Sequence, residues 1–230
     1  MQIKVQMNTL LEQSEYLLSN TSLAFKRFLF DEIKWKSRLI GIKGARGTGK
    51  TTLGLQWLKE QGLPATKAAY FSLDDLYFTN HSLKETVTQF HKQGGKILVL
   101  DEVHKYKTWS TEIKNIYDIY TGIKIIFTGS SIIDISRQEA DLSRRAVVYE
   151  LPGLSYREFL LLKYNVQLPT FSLDKIMESS RNVLNPDQLE TIEDALNILR
   201  KKIRQLKLAQ PLVDNMFKTA TIIKTASKAL

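Results

Sequence analysis

The 230-residue chain contains no cysteine. Disulfides, thiolate metal sites and a cysteine nucleophile are thereby excluded. Histidine is nearly as scarce: His81, His91 and His104 are the only three, too few for a histidine-rich metal centre. Long apolar runs are missing as well. Runs such as ILVL and IIF fall far short of spanning a bilayer. The N-terminal MQIKVQMNTLLEQSEYLL is broken by polar residues every few positions, unlike a signal peptide. A cytoplasmic location and no membrane partner are expected.

What is present suits a folded domain. Hydrophobic residues make up 43% and charged residues 25%, and the length allows one substantial α/β domain with a smaller appendage. The net charge of +9 favours anions: a nucleotide, a nucleic acid or an acidic partner. Part of the excess sits in RKKIRQLK, where Arg200, Lys201, Lys202, Arg204 and Lys207 have no compensating acid. Contact with nucleic acid through phosphates is one reading of that tail, and a solvated helix face is the other.

Three segments are expected: an N-terminal helical segment over 1–35, a core over 36–165 and a C-terminal helical segment over 166–230. In the first, Leu10, Leu11, Leu17, Leu18, Phe25 and Phe28 recur at roughly helical spacing, with a break near Asn20–Ser22 and a second helix running to Trp35. In the core, RLIGIKG, AAYFSLDD, KILVLDEVH, GIKIIFTGSS and RAVVYELPGL read as five short strands alternating with helices. Unbroken apolar runs suit strands covered on both faces, hence a three-layer α/β fold around a five-stranded, mostly parallel sheet. In the last segment, Leu189, Ile192, Leu196, Leu199, Ile203 and Leu206 form a short 3-4 seam, read as a helix packing onto the main domain or a neighbouring helix, with a dimeric coiled coil as the alternative.

Gly44-Ala45-Arg46-Gly47-Thr48-Gly49-Lys50-Thr51 fits G-x-x-x-x-G-K-S/T without a mismatch, between a strand and a helix that continues through Thr52. The glycines let successive backbone N–H groups turn inward on phosphate oxygens, and the helix N-terminus adds positive potential. Lys50 then reaches the β- and γ-phosphates, and the Thr51 hydroxyl can ligate Mg²⁺. The strand ILVL ends in Asp101 and Glu102. Asp101 is placed to hold Mg²⁺ beside the phosphates, and Glu102 to take a proton from the attacking water.

Three further features admit two readings each. Thr128, Ser130 or Ser131, leaving IIFTGSS, touches the γ-phosphate or caps the next helix. Arg144 and Arg145, before the fifth strand, stabilise phosphoryl charge in the same chain or a neighbouring copy, or form a surface basic pair. His104 links Glu102 to a neighbouring helix or is simply packed or solvated, the latter being the safer expectation.

FKRFLFDEIKWKSRLIGIKGARGTGKTT, ILVLDEVHKY, IIFTGSS and RRAVVYELPGLSYREFL together resemble the AAA_14 group of P-loop ATPases, prokaryotic proteins of the AAA+/STAND-like assemblage. The resemblance covers roughly residues 25–165. It implies ATP binding and hydrolysis by Lys50, Thr51, Asp101 and Glu102, Ser130 as a sensor and Arg145 as the arginine before the fifth strand. It also implies a longer nuclease-like (DUF4143) domain beyond SYREFL, for which the remaining residues leave no room; Pro186–Asp187 has no E-x-K after it.

The expected function is Mg²⁺-dependent ATP hydrolysis that drives or gates a partner, with a homo-oligomer as one arrangement. The alternatives are a nucleotide-gated binding module with negligible turnover, a nucleic-acid-binding ATPase and a small-molecule P-loop kinase. Glu102 directly after Asp101 suits water activation better than transfer to a small acceptor.

Overall fold

The computed structural model describes residues 2–130, 142 and 144–170, with side chains from Met7 onward. The chain divides into two units, Met1–Leu168 and Pro169–Leu230, and the first is the one described. The heptad seam and the basic RKKIRQLK lie outside the described residues, as does Ser131.

The five apolar runs each form a strand. In chain order the elements are α1 (Gln2–Asn20), α2 (Leu29–Glu32), β1 (Leu39–Lys43), α3 (Lys50–Glu60), β2 (Ala68–Ser72), α4 (Tyr77–Asn80) and α5 (Leu83–Lys92). They are followed by β3 (Ile97–Asp101), a 3-10 turn (Val103–Lys105), α6 (Trp109–Ile119), β4 (Lys124–Gly129), β5 (Val147–Glu150) and α7 (Tyr156–Tyr164). The strands join in one sheet of order β2-β3-β4-β1-β5, and every pairing is parallel.

Period-two alternation sorts the strand residues onto two faces. Leu39, Ala69, Phe71, Leu98, Leu100, Ile125 and Phe127 pack with α1, α5 and α6. Ile40, Ile42, Ala68, Tyr70, Val99 and Ile126 pack on the other side with α3 and with Phe30 and Ile33. Each fully buried Leu, Ile or Phe contributes about 1.5–3 kcal/mol, so two dry faces hold the sheet rigid beneath its loops. The fold is therefore a three-layer α/β sandwich. Because all strands run the same way, their C-terminal ends share one edge. Beside β1 the strand order switches direction, which opens a crevice there.

The N-terminal segment departs from the sequence expectation. Helix α1 ends at Asn20, and only the single turn α2 follows, rather than a second helix to Trp35. The intervening backbone is claimed by side chains instead of by a helical ladder. Gln56 Nε2, from α3, donates to Ser22 O (2.8 Å) and Phe25 O (2.7 Å), and Lys59 Nζ donates to Thr21 O (2.7 Å). Residues 21–28 are laid along α3 as a strap.

Candidate functional site

The loop after β1 has the shape its glycines allow. Gly47 (φ 80°) and Gly49 (φ 95°) occupy left-handed backbone that a side chain disfavours. Gly44 is constrained differently: a Cβ there would lie 2.3 Å from Leu151 O. Leu151 N in turn donates to Lys43 O at 2.7 Å, so the loop starts on a floor made by the chain leaving β5. Ala45, Arg46 and Gly47 are exposed at the rim, and Thr48 closes a local turn with its hydroxyl on Ala45 O (2.9 Å).

Lys50 opens α3 and is 4% exposed. Its ammonium donates to Gly44 O (2.9 Å) and Ala45 O (2.8 Å), folding the side chain over its own loop. Burial pushes its pKa down, opposed by the negative charges of Glu102 and Asp101. An ammonium held this way is poised to exchange backbone carbonyls for phosphate oxygens, which carry full charge.

Asp101 ends β3 and is 2% exposed. Its carboxylate is densely bonded. Thr51 Oγ1 donates to Oδ2 at 2.6 Å and Tyr70 OH donates to the same oxygen at 2.7 Å. Glu102 N donates to Oδ1 at 3.0 Å, and the Thr128 hydroxyl donates to Oδ1 as well. Burial first, then the Asp101 charge and hydrogen bond, push the Tyr70 hydroxyl well above its ordinary range, so it remains a donor. Thr51 and Asp101 thus present hard oxygen donors side by side, the donor type Mg²⁺ prefers. Among the described residues no cluster of three or more His, Asp or Glu offers an alternative metal site.

Glu102 follows in left-handed backbone (φ 51°), a conformation costing a non-glycine residue on the order of 1–3 kcal/mol. Val103, fully buried behind it, anchors the turn. Ser130 Oγ donates to Glu102 Oε2 at 3.0 Å, and His104 Nε2 lies 3.3 Å from the same oxygen. Ser130 Oγ is 3.4 Å from His104 Nε2, closing a small polar triangle. His104 therefore touches Glu102 rather than being merely packed or solvated. Of the hydroxyls leaving β4, Thr128 serves Asp101 and Ser130 serves Glu102.

Arg145 lies elsewhere. Ile40 pairs with Val147, so Arg145 is level with the start of β1, whereas the phosphate loop follows its end. The two are separated by a strand's length, ~16 Å at about 3.3 Å per residue. Its guanidinium forms a two-pronged pair with Asp118 (Nε–Oδ1 2.9 Å, Nη2–Oδ2 3.0 Å). The Arg145 hydrogen bond holds the Asp118 carboxyl below its usual range. Arg144 is exposed.

Beside the first turn of α3, exposed Thr52 borders a cavity of about 590 Å³ lined also by Phe25, Gln56, Leu161 and Leu162. Sequence reasoning had no access to two residues around the cradle. Tyr70 carried no signal beyond being an apolar-run residue in the middle of β2. Arg27, 6% exposed, donates to Thr48 O inside the loop; it lies in the FKRFLF stretch that carries the resemblance, but neither residue type nor spacing gave it a role there.

A crevice at the strand ends, a glycine-shaped loop on a helix N-terminus and paired acids beyond it match one family model, the AAA domain AAA_14, over residues 36–160. The chain belongs to that family. The AAA_14 domain here is accordingly an AAA-type, nucleotide-binding P-loop ATPase module. It is 31% identical over 182 residues to the uncharacterized protein MJ1637 of Methanocaldococcus jannaschii, covering 71% of this chain and 38% of that one. The chain thus spans well under half of that relative. Among solved structures it is similar to AMPPCP-bound DnaA from Aquifex aeolicus (22% identity, TM-score 0.39, 74% of this chain and 55% of that chain). It is also similar to C. elegans PCH-2 (17% identity, TM-score 0.40, 78% and 54%). Among the described residues no helix is long and apolar enough to cross a membrane.

Proposed function

We propose that this AAA_14 domain hydrolyses ATP with Mg²⁺ at the C-terminal edge of its sheet, and that nucleotide state drives or gates a partner. The observation that carries the reading is the 2.6 Å approach of Thr51 Oγ1 to Asp101 Oδ2 beside the Lys50 ammonium. A helix-starting hydroxyl, a strand-ending carboxylate and a buried cation converge where phosphates would meet backbone N–H groups. Gly44 through Thr52 cradle the phosphate chain, and the cavity beside Thr52 leaves room for the rest of the nucleotide. Thr51 and Asp101 would hold Mg²⁺, which when bound offsets charge on the β- and γ-phosphate oxygens. Lys50 swings from Gly44 O and Ala45 O onto those oxygens. Glu102 accepts the proton of the attacking water, and Ser130 steadies the Glu102 carboxylate.

Arg145 cannot reach its own cradle across the sheet, so its proposed role requires a second copy whose nucleotide meets that edge. A homo-oligomer follows from this reading, in a cytoplasmic setting. The five uncompensated cations of RKKIRQLK would contact the phosphates of a nucleic acid. One observation favours the binding-module alternative: Glu102 is engaged by Ser130 and His104, which suits a resting, non-hydrolysing centre. Phosphate release from ATP by the purified chain, with Mg²⁺ and with chelator, beside equilibrium ATP binding, separates the two. Mg²⁺-dependent turnover that disappears in Glu102→Gln supports the ATPase. Tight binding without turnover leaves the gated module, and no binding at millimolar ATP overturns both.

A further inference from the structure

We propose that Arg27 is a positioning residue that ties the shape of the phosphate loop to the seating of α7, so that a nucleotide entering the loop is felt at that helix. The proposal rests on the nucleotide-binding reading of the loop. Arg27 sits in the strap between α1 and α2, yet its side chain is nearly completely buried. Its guanidinium joins three stretches that are remote in sequence. Nη1 donates to Thr48 O inside the phosphate loop. Nη2 donates to Pro152 O (2.8 Å) and Gly153 O (3.1 Å), in the chain that floors Gly44. Nε donates to Glu158 Oε1 (2.8 Å), and Nη2 also approaches Glu158 Oε2 (3.3 Å).

Glu158 is the other half of the device. It is the third residue of α7 and forms a reciprocal capping box with Ser155: Ser155 N donates to Oε2 (2.9 Å) while Glu158 N donates to Ser155 Oγ (3.2 Å). Phe28 N donates to Oε1 at 2.9 Å. One carboxylate therefore fixes the start of α7, the strap and the guanidinium that holds the loop.

The loop must change when phosphate arrives. Lys50 presently spends its ammonium on Gly44 O and Ala45 O, and taking up a phosphate removes both bonds. Thr48 lies in the same short loop, so a shift there bears on Arg27 Nη1. The planar guanidinium cannot follow one acceptor without turning its other N–H groups away from Pro152, Gly153 and Glu158. A simple structural pin would hold these segments together but would carry nothing between them.

The test uses Arg27→Lys in the full chain. The ammonium keeps its charge beside Glu158 but cannot span Thr48 O, Pro152 O and Glu158 together. Lys26→Ala is the control, because Lys26 pairs with partly exposed Glu60 on the surface. Amide hydrogen exchange without nucleotide should quicken by about tenfold or more at both 44–51 and 152–160 in Arg27→Lys, with β3 and β4 unaltered. With ATP, the wild type should gain protection in both stretches, whereas Arg27→Lys should gain it in 44–51 alone and bind about tenfold more weakly. Unchanged loop exchange in the variant, or full ATP protection of 152–160 in it, overturns the proposal. Should the wild type take up no ATP, the nucleotide reading fails, and the nucleotide-free comparison still decides whether Arg27 sets the loop. If Arg27→Lys proves globally unfolded, Ser155→Ala loosens the Glu158 seat from the far side. Faster exchange at 44–51 as well as 152–160 then supports the linkage, and loosening of α7 alone sinks it.

Discussion

Acidification isolates the energetic weight of the Glu158 carboxylate. Its burial alone would raise its pKa, but the Arg27 hydrogen bond and the Ser155 and Phe28 backbone N–H groups more than reverse this, lowering it from 4.5 to about 2. A folded-state pKa below the unfolded one supplies stability that is complete above about pH 4.5 and is lost as pH falls toward 2. That lowering corresponds to about 3 kcal/mol. Glu158→Gln keeps the side-chain volume and removes the charge, leaving Arg27 buried without its counter-ion, a loss of about 3–5 kcal/mol in comparable cases. Urea unfolding followed by the fluorescence of Trp35, Trp57 and Trp109 gives both stabilities. At pH 7 the wild type should be more stable than Glu158→Gln by about 3 kcal/mol, and at pH 3 by less than half of that, because protonation makes the two side chains alike. A gap that stays constant between pH 6 and pH 3 would refute the reasoning, as would equal stability at pH 7.

Replacing Lys50 by alanine should weaken ATP binding by at least about tenfold, the value of a charge-assisted hydrogen bond, as read by equilibrium titration. Glu102→Gln should bind ATP as the wild type does yet turn over at least about a hundredfold more slowly, whereas Asp101→Asn should lose Mg²⁺-dependent binding. Wild-type rates in both acid variants would make the pair structural. Arg145→Ala should bind ATP normally but lose the rise in specific activity with protein concentration, and a mixture with Glu102→Gln should regain part of it. Activity per molecule that is flat across concentration would remove the neighbouring copy from the mechanism.

The cradle was legible because its chemistry fixes residue types at fixed spacings. Only glycine tolerates the backbone at 47 and 49, and only Gly44 clears Leu151 O, so the local sequence carries the signal. The strands were legible for a related reason: dry packing on both faces requires apolar residues at consecutive positions, as in ILVL of β3. The strap was not. Phe25 and Phe28 matched a helical period, but Gln56 and Glu158 capture backbone groups there, and tertiary hydrogen bonds prevailed over periodicity.

Arg27 and Arg145 mark how far sequence reasoning reaches, because the carboxylate each one pairs with, Glu158 and Asp118, is remote in sequence. For Arg145 the parallel sheet alone supplies the geometry: a residue preceding a strand and a loop following its neighbour occupy opposite edges. Register then turns that rule into a separation, through the pairing of Ile40 with Val147. For Arg27 no comparable rule exists, since its acceptors are Thr48, Pro152, Gly153 and Glu158, and three of them are backbone carbonyls that every residue carries. The readable trace was on the other partner. Ser155 and Glu158 stand three apart at a helix start, the signature of a capping box. A glutamate already committed to a helix cap, if also buried, needs a cation, and that requirement points back to an arginine rather than forward from one.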